Sequence, residues 1–326
     1  MQYGPQFIIV SGMLGSGKTT LLEGLLASES ATDTAIIVNE AGEINIDGAV
    51  LSESARGMSM ATLSNGCVCC SLTNDLVITV QDLVESRRLS GRSPFARIIL
   101  ECSGLSRPGP IVSSLQELAD LRLKLHLVTT YDCSRPSLLT GNFEDAVAQL
   151  SAAGTVVLTK VDLVSSVRRD EAFESVTAAN PLARVVNELS ASVRVREAFL
   201  SPEGGVPVVL NEQSRQPKPR RLLHPRVRVF RAKLDENQSW ETTLDWLENL
   251  AGALGERLLR IKAIVSGDNR NDRVLLQSVG TTFSAPRLLN PSSSASLGAI
   301  IIARDCGRQD LEEIPTESPV TWFDYS

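Results

Sequence analysis

The sequence predicts an α/β protein: a parallel sheet with helices on both faces, followed by a smaller α+β domain. Three observations carry that expectation. Up to about residue 200, short apolar runs alternate with stretches of helical spacing, the pattern of a parallel sheet covered on both sides. The segment Gly12-Met-Leu-Gly-Ser-Gly-Lys-Thr19 fits G-x-x-x-x-G-K-[ST], the phosphate-binding P-loop. From Arg226 the pattern changes, and Val227-Arg-Val-Phe-Arg-Ala232 alternates like a half-exposed strand. The first region therefore reads as a P-loop NTPase sheet.

The first strand is Phe7-Ile-Ile-Val-Ser11, and Thr20-Leu-Leu-Glu-Gly-Leu-Leu26 has helical apolar spacing. Between them the glycine loop turns its N–H groups toward a phosphate at a helix N-terminus. Gly12, Gly15, Ser16, Gly17, Lys18, Thr19 and Thr20 are the expected nucleotide-binding residues. Lys18 would neutralise β- and γ-phosphate charge, and the Thr19 hydroxyl would bind Mg2+. Further strands are expected at Ala35–Asn39, Ala96–Leu100, Leu123–Val128, Thr155–Leu158 and Arg184–Asn187. Helices are expected at Leu76–Arg88, Ile111–Ala119, Phe143–Ala152 and around Val193–Leu200.

Two later strand ends complete a nucleotide site. Leu100-Glu-Cys-Ser-Gly104 offers Glu101 as the acidic Mg2+ partner and Gly104 as an amide that meets the γ-phosphate. Thr159-Lys-Val-Asp162 is the base-reading segment. Asp162 can accept two hydrogen bonds from guanine, whereas adenine leaves a buried carboxylate unpaired. The aliphatic stem of Lys160 would lie over the base. Thr159 stands where many GTPases have Asn, keeping a hydroxyl and losing the amide. Guanine is favoured over adenine.

Asn65-Gly-Cys67-Val-Cys69-Cys70 places three thiols within four residues. That is a soft-ligand site for Zn2+ or a similar ion. Three thiolates leave a tetrahedral ion one ligand short, which suits a transferable ion, and Glu43 is a further donor. A redox switch is an alternative, as is a pair of buried packing cysteines with one incidental thiol. Cys102, Cys133 and Cys306 stand apart and read as packing residues. Of the two histidines, His126 lies inside an apolar strand and reads as core, and His224 lies in a linker.

Four segments follow from the composition shifts: a nucleotide-binding domain over 1–203, a linker over 204–225, an α+β domain over 226–304, and an acidic tail over 305–326. The linker region carries Lys218, Arg220 and Arg221 as a solvated basic cluster. The second domain is expected to hold a helix at Trp240–Leu254 and strands at Leu258–Val265, Val274–Val279 and Leu297–Ala303. The tail reads as mobile unless Trp322-Phe323 docks.

Composition excludes several classes. A length of 326 residues allows two domains. With 43% hydrophobic and 21% charged residues the chain is an ordinary globular one. Its net charge of −6 argues against nucleic-acid binding. No run of about 18 apolar residues exists to span a membrane. Without a basic, cleavable leader the expected compartment is the cytoplasm, where clustered thiols stay reduced. A homo-oligomer remains open.

At this point the motifs converge. The P-loop, Val38-Asn-Glu-Ala-Gly-Glu-Ile-Asn-Ile-Asp47, Gly66-Cys-Val-Cys-Cys70, Glu101-Cys-Ser-Gly-Leu-Ser-Arg-Pro108 and Thr159-Lys-Val-Asp162 resemble the CobW-like P-loop GTPases. The likeness is strong over about the first 200 residues. It continues more loosely through Phe230-Arg-Ala-Lys233 and Leu259-Arg-Ile-Lys262. The resemblance implies GTP hydrolysis coupled to handling zinc or cobalt, with Cys67, Cys69 and Cys70 at the metal. It makes Asn39–Asp47 a switch loop sensing the γ-phosphate. The chain departs from the pattern in three places. It has no histidine-rich stretch, Ala41 replaces a frequent Phe, and Cys102 stands where Thr or Ser is common.

The resulting expectation is a GTP-hydrolysing metallochaperone that uses Mg2+ and serves a metal-requiring client protein. Lys18, Thr19, Glu40 and Glu101 are the expected catalytic residues, with Glu40 or Asp47 positioning the water. No intrinsic arginine finger stands out, although Arg56 and Arg107 are candidates, so unaided turnover should be slow. The competing readings are a GTP-gated protein-binding module that delivers no metal and a small-molecule kinase, which Asp162 argues against.

Overall fold

The computed structural model describes residues 4–28, 33–39, 59–63, 71–135, 143–199, 226–235, 238–267, 272–289 and 297–324. The chain splits into two compact units, one of Met1–Phe173 with Arg184–Glu203, the other of Glu174–Ala183 with Gly204–Ser326. No helix among the described residues is long and apolar enough to cross a membrane.

In chain order the first sheet and its helices are β1 (Gln6–Gly12), α1 (Lys18–Leu26), β2 (Thr34–Asn39), β3 (Ser59–Leu63), α2 (Ser71–Leu89), β4 (Arg97–Glu101) and α3 (Pro108–Ser114). There follow β5 (Lys124–Asp132), α4 (Phe143–Ala152), β6 (Thr155–Thr159), α5 (Ser166–Ala179), β7 (Arg184–Val186) and α6 (Ala191–Phe199). The strands run in the order β3-β2-β4-β1-β5-β6-β7, every pair parallel. The strands in the middle of this sheet are near-continuous aliphatic runs because both faces are covered. Ile8, Val10, Ile36, Val38, Ile99, Val128 and Val157 pack with Leu21, Leu22, Leu25 and Leu26 of α1 and with Val195, Ala198 and Phe199 of α6. Burying one such leucine fully contributes about 2 kcal/mol.

That topology positions the site. β1 is paired with β4 on one side and β5 on the other, and in open α/β sheets ligands bind at the carboxyl ends of the strands where the strand order reverses. The structure adds β3, which the sequence pattern missed. Ser-Met-Ala-Thr-Leu has no aliphatic run, and its place is set by pairing with β2, Ala35 opposite Ser59 through Asn39 opposite Leu63. β5 also runs four residues past the expected Val128. The helix expected over Ile111–Ala119 is instead α3 followed by a 3-10 helix over Leu115–Leu121.

The second sheet belongs to the second unit. Its elements are β8 (Val227–Lys233), α7 (Trp240–Leu254), β9 (Leu258–Ser266), β10 (Arg273–Val279), β11 (Thr282–Phe283), β12 (Arg287–Leu288), β13 (Gly298–Arg304), α8 (Arg308–Glu312) and β14 (Thr321–Asp324). The antiparallel order is β11-β10-β9-β13-β8-β14, with β12 also on β10. α7 is capped by Ser239, whose hydroxyl accepts the Thr242 N–H. It buries Trp246, Leu247, Leu250, Ala251 and Leu254. The stretch after Asp305 forms α8 and β14, so the docked alternative at Trp322 holds in place of a mobile tail. β14 pairs with β8, and its buried Trp322 ring lies 5.8 Å from Trp246. Burial of one indole against another outweighs the polar composition around it.

Candidate functional site

β1 delivers the P-loop to the carboxyl edge of the sheet, and α1 begins inside it at Lys18. Gly17 caps α1 in the left-handed region at φ 90°, a conformation that disfavours any residue with a Cβ. Side chains from β5 brace the loop from behind. Ser11 Oγ lies 2.8 Å from Thr129 Oγ1, and Ser16 Oγ lies 2.6 Å from Thr130 Oγ1. Thr130 donates on to the Ser11 carbonyl at 3.3 Å. Lys18 is buried and donates to the Gly12 carbonyl at 3.0 Å and the Met13 carbonyl at 3.3 Å. Gly15 and Thr20 are exposed at the same place.

The acidic strand end meets the P-loop directly. Thr19 Oγ1 donates to Glu101 Oε1 at 2.9 Å, and Glu101 is 2% exposed. A hydroxyl and a carboxylate held together at a P-loop are the donor set that Mg2+ takes in P-loop enzymes. Gly104 lies against the loop so tightly that an added Cβ would stand 2.5 Å from Leu14 N and 2.7 Å from Leu14 Cα. The segment after β4 is held by Gln149 of α4, whose Nε2 donates to the Gly104 carbonyl at 3.0 Å and the Ser106 carbonyl at 3.1 Å. Arg107 is engaged by Asp145 at 2.8 Å and Glu144 at 3.7 Å.

The Thr159–Asp162 segment leaves β6 beside the P-loop. The Thr159 hydroxyl donates to the Ser16 carbonyl at 2.7 Å and lies 3.1 Å from the Tyr131 carbonyl. It therefore bridges the P-loop and β5, although the side chain lacks an amide. Lys160 sits at φ 53° and its ammonium pairs with Asp132 Oδ2 at 2.6 Å. Burial works to raise the Asp132 carboxyl, but hydrogen bonds from Lys160 and Ser134 outweigh it and hold it below the ordinary carboxylate range. Asp162 is exposed.

The lone cysteines are buried. Burial pushes the Cys102 thiol up to about 12, against a smaller pull from Lys18, and the Cys133 thiol up to about 11. The Cys306 thiol is raised for the same reason. Such thiols stay protonated and inert near neutral pH. Asn39 ends β2 beside β4, with Val38 opposite Glu101. Glu40, Glu43, Cys67, Cys69 and Cys70 lie outside the described residues. Among the described residues no group of three or more His, Cys, Asp or Glu could hold a metal ion.

The structure thus brings Gly12, Ser16, Gly17, Lys18, Thr19, Glu101, Gly104 and Thr159 into one cluster and joins Lys160 to it through Asp132. Sequence reasoning missed Thr130, Asp132 and Gln149. The available signal was the polar run Thr129-Thr-Tyr-Asp132 directly after an apolar strand.

Comparison with known proteins gives the same outline. The nucleotide-binding domain model of CobW/HypB/UreG matches residues 6–187, and the C-terminal domain model of the cobalamin synthesis protein cobW matches residues 227–314. The chain is 27% identical over 290 residues to the zinc chaperone YjiA of Escherichia coli, covering 85% of this chain and 86% of that protein. It is 30% identical over 318 residues to the zinc chaperone CobW of Pseudomonas aeruginosa, covering 84% and 80%. The fold matches the crystal structure of Zn(II)-bound YjiA GTPase from E. coli with a TM-score of 0.65 at 21% identity, over 95% of this chain and 97% of that one.

Proposed function

The chain belongs to the CobW/HypB/UreG family of GTPases, and on that premise we propose that it is a metallochaperone whose GTP cycle controls the binding and release of a divalent metal cargo. The observation that carries the reading is the joint between Thr19 and Glu101 at 2.9 Å inside a P-loop. Thr19 and Glu101 would hold Mg2+, which when bound neutralises charge on the transferring phosphoryl group. Lys18 would move from the Gly12 and Met13 carbonyls to the phosphates. Asp162, with Thr159 and Lys160, would select guanine.

Zinc is the favoured cargo, because both relatives above are named as zinc chaperones and thiolates suit it. Cobalt satisfies the same donors. Cys67, Cys69 and Cys70, with Glu43 as a further donor, are the proposed cargo ligands. The segment from Asn39 to Asp47 leaves β2 at the strand beside Glu101, so γ-phosphate and cargo would share one responsive element.

The test is GTP turnover with and without stoichiometric Zn2+, together with zinc binding in the presence of a GTP analogue or GDP. The same measurements follow on a variant with Cys67, Cys69 and Cys70 replaced by Ser. Zinc-dependent turnover in the parent and its loss in the variant are expected. Turnover and zinc retention that ignore both nucleotide and cysteines would leave a GTPase without metal delivery.

A further inference from the structure

Asp132 stands at the end of β5, directly opposite Thr159 in the β5–β6 register. It is 7% exposed and takes three donors: Lys160 Nζ at 2.6 Å, Ser134 N at 2.8 Å and Ser134 Oγ at 2.6 Å. The strand ends are closed on each other by the Cys133 N–H donating to the Thr159 carbonyl at 3.2 Å. Ser134 holds the carboxylate in place from its own turn, so Asp132 is a fixed negative point and Lys160 is the long, adaptable partner that comes to it.

Lys160 and Asp162 share one turn, closed by the Leu163 N–H donating to the Lys160 carbonyl at 3.1 Å. The nearest cation along the chain to the base-reading carboxylate is therefore Lys160, two residues away. Asp162 makes no ion pair among the described residues. A carboxylate paired with a neighbouring lysine meets guanine N–H groups with part of its acceptor capacity and its orientation already committed. The geometry points to Asp132 as a specificity-determining positioning residue: it draws the Lys160 ammonium away, so that the Asp162 carboxylate stays free for guanine. This rests on the reading of Asp162 given above.

The test uses the full chain and calorimetric binding of GDP and ADP to the parent, D132A, D132N, D132A/K160M and D162A. GDP affinity should fall about fivefold in D132A and D132N, the scale of one ion pair, with ADP affinity unmoved. D132A/K160M should regain GDP affinity relative to D132A, because the competing ammonium is gone. A purely structural Asp132 predicts the opposite: the double variant binds GDP no better than D132A. That result, or an unchanged GDP affinity in D132A, overturns the proposal. Thermal unfolding of each variant confirms that it is folded, and D132N, which keeps an acceptor for Ser134, covers the case in which D132A is not. If D162A binds GDP like the parent, the guanine reading beneath the proposal falls. If D162A loses GDP and D132A does not, the proposal alone falls.

Discussion

The two ends of the parallel sheet handle buried polar groups differently. At the carboxyl end Ser11, Ser16, Lys18, Thr19, Thr129, Thr130, Asp132 and Thr159 are hydrogen-bonded across β1, β4, β5 and β6. The Asn39 amide nitrogen, the second carboxylate oxygen of Glu101, the Tyr131 hydroxyl and the Asn187 side-chain oxygen are exceptions there. At the amino end Thr34, Arg97, Gln6 and Lys124 form one row of register partners across β2, β4, β1 and β5. In that row the Thr34 hydroxyl and the Nε and Nη1 of Arg97 are buried without a hydrogen-bond partner. A cross-linked polar end preorganises a site. An unlinked one only lowers stability. Substitutions at the two ends should therefore separate function from folding.

The largest separation is expected at Lys18. Lys18→Ala removes the charge that would meet the phosphates and the donor to the Gly12 and Met13 carbonyls. GTP turnover should fall by at least about a hundredfold, while the thermal midpoint moves little. Phosphate release and a melting curve on the same preparation check both halves. A large loss of stability with normal turnover per folded molecule would erase the contrast between the ends.

A middle-sized effect is expected at Gly104. Its contact with the P-loop is backbone on backbone: a methyl group at this position would stand 2.5 Å from Leu14 N, so Gly104→Ala forces one segment to move. Gln149 pins that segment through the Gly104 and Ser106 carbonyls, which limits how far it can yield. GTP turnover should drop by about tenfold, the scale of a sub-ångström misplacement at a reacting centre. Kinetics of the variant over a GTP titration would show whether turnover, affinity or neither has moved.

How much of this could be read beforehand follows the same division. The P-loop, Glu101 and the Thr159–Asp162 segment stood out in the sequence because the phosphate, Mg2+ and base recognition proposed for them would each demand particular residues at particular spacings. The central strands were legible because burial on both faces demands aliphatic runs. Asp132 and Gln149 were not, since each acts through a partner far along the chain: Lys160 for Asp132, the Gly104 and Ser106 carbonyls for Gln149. β3 was invisible because pairing with β2 sets its place. β14 was read as tail because one buried Trp322 carries its docking while the residues around it look like a solvated end.

The smallest expected effect is also the sharpest test of the comparison. Arg97 holds a guanidinium whose Nε and Nη1 are buried without partners, and burial pulls its pKa down. Methionine has a similar reach without the charge. Arg97→Met removes the cost of burying part of a guanidinium without partners and should leave the protein as stable as before or more stable by about 1 kcal/mol. GTP turnover should be unchanged, because Arg97 begins β4 at the end of the strand opposite Glu101. Urea unfolding and turnover of the purified variant decide it. Destabilisation by about 3 kcal/mol would mean that Arg97 has a partner in solution, and the amino end would then be as cross-linked as the carboxyl end.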